Sequence, residues 1–198
     1  KQGTQVSRAV GKSVSLQQLN GASREEFVSA LRPLFNNETW PLELAWESRP
    51  FGDVNELRAA IQVAVLTADD SRRAALIHDY PAMDELLLAD ADEAATISAD
   101  RGSLGLTDLD DVQTERITEL SAAYRERFDM PFVAYLDTND TVDRVIDVGV
   151  RRLANSPEQE YRTALGEIVE IANDRFDILL ADANPVRSSW DRKFTEVD

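Results

Sequence analysis

Apolar residues recur along most of this chain at spacings of three and four, the period that turns one face of a helix toward a core. Ser23 followed by Glu26 has the form of a capping box, and Phe27, Val28, Leu31, Leu34 and Phe35 then repeat on one face. Ordered structure is therefore expected from near Leu19. Thr39-Trp40-Pro41 starts a second helix bearing Leu42, Leu44, Ala45 and Trp46, closed by Arg49-Pro50-Phe51-Gly52. Asp53 opens a third, with Val54, Leu57, Ile61 and Val65 on one stripe. The next, from about Ser71 to Asp79, halts at Tyr80-Pro81, because proline disfavours helical geometry in the residue before it.

Beyond Pro81, Met83 to Leu88 reads as a short helix, Asp90 to Asp100 as an acidic loop, and Gly102, Gly105 and Thr107 as a break. A long helix over about 110–128 carries Ile117, Leu120, Ala123 and Tyr124, and Met130 to Leu136 is the only convincing extended segment. One strand without a mate does not make a sheet. From about Asp140 the residues Val142, Val145, Ile146, Val150 and Leu153 resume the helical period until Asn155. Gly149 lies on the same face, where an interior glycine costs about 1 kcal/mol relative to alanine. Ser156-Pro157-Glu158-Gln159 then opens a last helix with Tyr161, Leu165, Ile168, Ile171, Ala172, Phe176 and Leu179 inward. The pattern predicts an all-α, single-domain, compact helical bundle over residues 19–181, between polar arms at 1–18 and 182–198, with no internal repeat.

Composition narrows the chemistry. A chain of 198 residues suits one core better than two, and 43% apolar content excludes wholesale disorder. There is no cysteine and a single histidine, His78, which excludes a disulfide framework, zinc-finger spacing and a protein-only imidazole cluster, so no metal is expected. Thirty-seven acidic against 21 basic residues leave a net charge of −16, which repels phosphate backbones and anionic lipid surfaces. Neither nucleic acid nor membrane is an expected partner. The bases are arginines apart from Lys1, Lys12 and Lys193, a bias that fits salt adaptation or simply a well-solvated surface. No apolar run reaches the roughly 18 residues that span a bilayer. Lys1 to Leu16 lacks the apolar core of a secretory signal, and Thr195 to Asp198 is not a peroxisomal address. A bacterial or archaeal cytoplasmic location is expected, and the absent initial methionine implies a processed or trimmed chain.

Several pieces, in order, resemble the family of 2-oxo-4-hydroxy-4-carboxy-5-ureidoimidazoline (OHCU) decarboxylases. They are Leu19-Asn20, the Trp40–Trp46 segment with Arg49-Pro50-Phe51, Ala75-Leu76-Ile77 ahead of a proline turn, and Gly105-Leu106. Tyr124-Arg125-Glu126-Arg127-Phe128, Pro131-Phe132-Val133 and Arg152-Leu153-Ala154-Asn155-Ser156-Pro157-Glu158 with Glu160 complete the set. The likeness runs from about Leu19 to Leu180. It implies a helical bundle, commonly a homodimer, that acts on a small-molecule substrate without metal or organic cofactor and removes carbon dioxide from OHCU to give (S)-allantoin in urate breakdown. Such a site must spread the negative charge left on the ring and deliver a proton to one face.

The family's polar groups are altered here. Its histidine before the proline is Tyr80, whose pKa near 10 makes it a donor and a poor base. Tyr80 is read as proton donor or as an aromatic packing at a helix end. His78 stands two residues away, about 200° around a helix, and would replace the missing group only if the helix ended early. Counting back from Gly105-Leu106 puts the family's loop glutamate at Asp100 and its glutamine at Arg101, either a polarising carboxylate with an anion fork or an exposed pair. Arg152 matches the family's arginine, as an anion clamp or as a helix C-terminal cation favoured by the macrodipole. Pro81, Phe132 and Val133 would wall the pocket or simply pack. The resulting expectation is an OHCU decarboxylase, or a carboxy-lyase for a related ring carboxylate. Its alternatives are an inactive binding or assembly module of the same fold, and an acidic adaptor unrelated to ureides.

Overall fold

The computed structural model describes residues 13–88, 108–137 and 139–181 of the chain. Local capping chemistry accounts for where its helices start. Helix α1 (Leu16–Gly21) opens ahead of the expected Leu19, because Ser15 and Gln18 form a capping box that the apolar pattern does not reveal. Helix α2 (Arg24–Leu31) has the Ser23/Glu26 box read from the sequence, and the chain tightens into a 3-10 turn at Arg32–Leu34 around Pro33. Helices α3 (Trp40–Trp46), α4 (Val54–Thr67, capped by Asp53) and α5 (Asp70–His78, capped by Asp69) follow. Helix α6 (Met83–Leu88) completes this half.

After the break come α7 (Asp111–Phe128, with an Asp110/Gln113 capping box), α8 (Val142–Arg152, capped by Thr141) and α9 (Pro157–Leu179, capped by Ser156). Among the described residues no helix is long and apolar enough to cross a membrane. The acidic loop expected at 90–100, the glycine break, residues 1–12 and the tail from Asp182 lie outside the described residues.

Helix α9 is the spine, packing against the 3-10 turn, α4, α5 and α7. Its buried face, Ala164, Leu165, Ile168, Ala172 and Phe176, meets Leu34, Leu57, Ile61, Leu76, Ile77 and Tyr124 in one continuous core. Two backbone bonds close the ends of this unit. Val14 N–H donates to the Leu179 carbonyl at 3.0 Å, and Ala181 N–H donates to the Val14 carbonyl at 2.9 Å.

The 130–136 segment makes no ladder among the described residues, and the helices on either side explain it. Gln113 reaches Asp143 at 3.4 Å and Arg116 reaches Asp147 at 3.2 Å, so the partners rise together in number and α7 and α8 run the same way. A same-direction pair needs a link that retraces the first helix, about 27 Å at 1.5 Å per residue. A helical link over residues 129–141 would cover only about 20 Å, so the chain crosses in a more open form. Gly149 belongs to the same contact. A Cβ there would stand 2.9 Å from Phe132 Cε1 and closer still to Leu120 Cδ2, so the interior glycine lets α8 approach α7 and the return segment.

Candidate active site

Three segments distant in sequence converge where α5 ends. Asp79 caps α5, and Pro81 prevents the helix from continuing past Tyr80, whose N–H donates to the Ile77 carbonyl at 3.2 Å. The Asp79 carboxylate staples this corner to the chain before α3, accepting from Asn37 N–H at 2.6 Å, Asn37 Nδ2 at 2.8 Å and Glu38 N–H at 3.2 Å. Asn36 joins the third segment. Its Nδ2 donates to the Asp79 carbonyl at 3.3 Å, and its Oδ1 accepts from the Arg175 guanidinium of α9 at 3.2 Å. Arg175 also donates to the Leu34 carbonyl at 3.3 Å.

Tyr80 is 7% exposed, and its hydroxyl has no hydrogen-bond partner among the described residues. Burial pushes its pKa up to about 12; the Arg175 charge opposes that rise and the Asp79 charge adds to it. Near neutrality the phenol therefore keeps its proton and can serve as an acid, not as a base. Arg175 is half-buried and its hydrogen-bond partners are neutral oxygens. Among the described residues no carboxylate lies within ion-pair distance of it. Arg58, on α4 against the same helix, differs: Asp177 balances it at 2.5 Å and the Phe176 ring lies 4.5 Å below. A buried hydroxyl without an acceptor, under the electrostatic influence of a cation that meets no carboxylate among the described residues, suits a small anion.

The remaining expected residues form a second cluster. Arg152 Nε donates to Glu160 Oε1 at 2.8 Å and a terminal nitrogen donates to the Val133 carbonyl at 2.9 Å. The other terminal nitrogen approaches the same Glu160 oxygen at 2.5 Å, outside hydrogen-bonding angle but well within ion-pair range. Glu160 is fully buried and also accepts from the Tyr124 hydroxyl at 2.8 Å and Asn155 Nδ2 at 2.8 Å. Burial is the main cause raising the Tyr124 pKa. Phe132 is fully buried between the Tyr124 ring, 4.9 Å away, and the Arg152 guanidinium, 5.0 Å away. Phe132, Val133 and Arg152 are thus brought together around Glu160, and the charge of Arg152 is already met from within the protein.

Pro81 is half-buried beside Tyr80, whereas His78 is exposed at the end of α5, as its two-residue offset from Tyr80 requires. Asp100 and Arg101 lie outside the described residues. Arg175, which faces Tyr80 electrostatically, is absent from the residues picked out by sequence. A signal for it existed: it follows Ile168 by seven and Ala172 by three, a charge set on the apolar stripe of α9. Among the described residues no group of acidic or imidazole side chains is placed to hold a metal ion.

Residues 20–177 match the family model described as OHCU decarboxylase. A protein of Haloferax volcanii named 2-oxo-4-hydroxy-4-carboxy-5-ureidoimidazoline decarboxylase is 37% identical over 164 residues, 82% of this chain and 94% of that one. The Mus musculus protein of the same name is 32% identical over 181 residues, 88% of this chain and 98% of its own length. A solved structure titled as that of (S)-allantoin synthase superposes with a TM-score of 0.65 at 22% identity. That likeness bears on the fold; it covers 84% of this chain, which spans about half (54%) of the solved one.

Proposed function

Because the chain belongs to the OHCU decarboxylase family, we propose that it removes carbon dioxide from OHCU to give allantoin, a step of urate degradation. The observation that carries the reading at the level of residues is the buried Tyr80 hydroxyl, without a hydrogen-bond partner among the described residues, within the electrostatic influence of Arg175, which meets no carboxylate among those residues.

In this reading Arg175 holds the substrate's anionic edge. As the bond to the carboxylate carbon breaks, carbon dioxide leaves and the electron pair passes into the ring, where the guanidinium offsets the developing charge. Tyr80 then delivers its hydroxyl proton to one face of the ring, and the tyrosinate regains a proton from water. A phenol with a pKa near 12 is a weak acid but is fully protonated at the start of each cycle, and its anion is basic enough to be reprotonated at once. A protein acid fixed on one side of a planar intermediate accounts for a single-handed product. Asp100 and Arg101 enter as a carboxylate that polarises the ring and a second cation for the anion, and Pro81 as part of the wall. Arg152, Phe132 and Val133 act in this account by holding the return segment after α7 in place.

The test is to generate OHCU in situ from urate and follow the optical activity of the allantoin formed, with and without the protein. Faster decay with single-handed allantoin is expected. An unchanged rate with racemic product would overturn the reading and favour the inactive binding module. If the enzyme is active, Arg175→Gln should lower kcat/KM by about 10²-fold or more, as losses of charge-stabilising groups do.

A further inference from the structure

We infer that Asn36 is a positioning residue for this site: its amide ties the cation directly to the segment that carries the proton donor, and it does so without neutralising the cation. The inference rests on the reading above, in which Arg175 and Tyr80 act on one small anion.

The geometry uses both ends of a single neutral side chain. The Nδ2 of Asn36 donates to the carbonyl of Asp79, the group bonded directly to the Tyr80 nitrogen, at 3.3 Å, and its Oδ1 accepts from Arg175 at 3.2 Å. Its backbone is held from both sides, because Leu34 O accepts from the same Arg175 nitrogen at 3.3 Å and Asp79 grips Asn37 and Glu38 through three bonds of 2.6 to 3.2 Å. Residues 36, 79–80 and 175, far apart along the chain, are thereby joined through one amide, with the neighbouring bonds of Leu34, Asn37 and Glu38 around it.

Charge makes the choice of residue informative. Arg152 and Arg58 each meet a carboxylate, Glu160 and Asp177, whereas Arg49, like Arg175, is held by neutral oxygens, the carbonyls of Trp46, Asn20 and Ala22. At Arg175 the holding groups are the Asn36 amide and the Leu34 carbonyl, so the guanidinium is located by hydrogen bonds while no carboxylate among the described residues meets its charge. An apolar residue at 36 would leave Arg175 to the Leu34 carbonyl alone, and one bearing only a donor or only an acceptor would hold one side of the corner and not the other.

Kinetics on in-situ OHCU of Asn36→Leu, Arg175→Gln and the double variant provide the test, with thermal melts to show that each is folded. Asn36→Ser serves where the leucine does not fold. Asn36→Leu is near-isosteric and removes both bonds; it should lower kcat/KM by about 10²-fold, the scale of a small misplacement of a binding group, with most of the loss in KM. In the Arg175→Gln background it should cost less than twofold, because a residue that acts through Arg175 has nothing left to position. Wild-type kinetics for Asn36→Leu, a loss in kcat alone, or losses that multiply in the double variant would overturn the role of Asn36 and leave that of Arg175 intact. Wild-type kinetics for Arg175→Gln would instead remove the reading beneath it.

Discussion

Replacing Tyr80 by phenylalanine should move activity and stability in opposite directions. The hydroxyl is buried and has no hydrogen-bond partner among the described residues, so the folded protein carries its desolvation cost, about 1–3 kcal/mol for an unmade bond. Phenylalanine keeps the ring and its packing and removes that cost. A gain of about 1 kcal/mol is expected, which raises Tm by roughly 2–4 °C in a domain of this size. The reaction loses its acid, and kcat/KM should fall by about 10²-fold or more. Each tenfold is about 1.4 kcal/mol, so transition-state stabilisation falls by at least about 2.7 kcal/mol while the fold gains about 1. Differential scanning fluorimetry and initial rates on in-situ OHCU measure the two. A variant that is clearly destabilised with its rate intact would refute the reasoning, because the hydroxyl would then be serving the fold. The pH dependence gives the same group a second signature. Its folded pKa, about 12, exceeds the roughly 10 of an unfolded tyrosine, so the proton favours the native state. The native state is therefore undisturbed by this group below pH 10 and loses stability as pH climbs toward 12, because the buried phenol resists ionising. Activity governed by this acid should be level from about pH 6 to 9, whereas a histidine acid would titrate near 6.5. A falling limb near pH 7 that Tyr80→Phe abolishes would contradict this assignment.

Three further outcomes follow from the fold. Glu160→Ala strands the buried Arg152 charge, the Tyr124 hydroxyl and the Asn155 amide, and should cost about 3–5 kcal/mol in urea unfolding, with the Glu160→Leu, Arg152→Met pair recovering most of it. Gly149→Ala gains about 1 kcal/mol of helix propensity but drives a Cβ to 2.9 Å from the fully buried Phe132 ring. Overpacking of about 1–3 kcal/mol should prevail, and a raised Tm would show that α7 and α8 separate easily. With a net charge of −16, Tm should climb as KCl goes from 0.1 to 1 M and the screening length falls from about 10 to about 3 Å; a flat or falling Tm would show that self-repulsion is not limiting.

Residues whose role is local were legible without coordinates. Ser23 with Glu26, Asp53, Asp110 and Ser156-Pro157 mark helix starts because the groups that satisfy a helix terminus lie within three residues of it. The apolar stripes of α4 and α9 gave the inward faces for a similar reason, since 3.6 residues per turn is a property of the chain alone. Ser15 escaped notice because its box precedes a helix of six residues, too short to show a period. The 130–136 run reads as a strand by composition; only the same-direction packing of α7 and α8 makes it a return link.

The amino-acid sequence by itself determined the all-helical class, most of the helix starts and the family. Tertiary structure alone decided that, among the described residues, Arg152 meets a carboxylate and Arg175 does not. Arg152 and Arg175 both sit on amphipathic helices and look alike in one dimension. A charge is quenched or kept available by what faces it across the core, and here that is the carboxylate of Glu160 for one and the amide of Asn36 for the other.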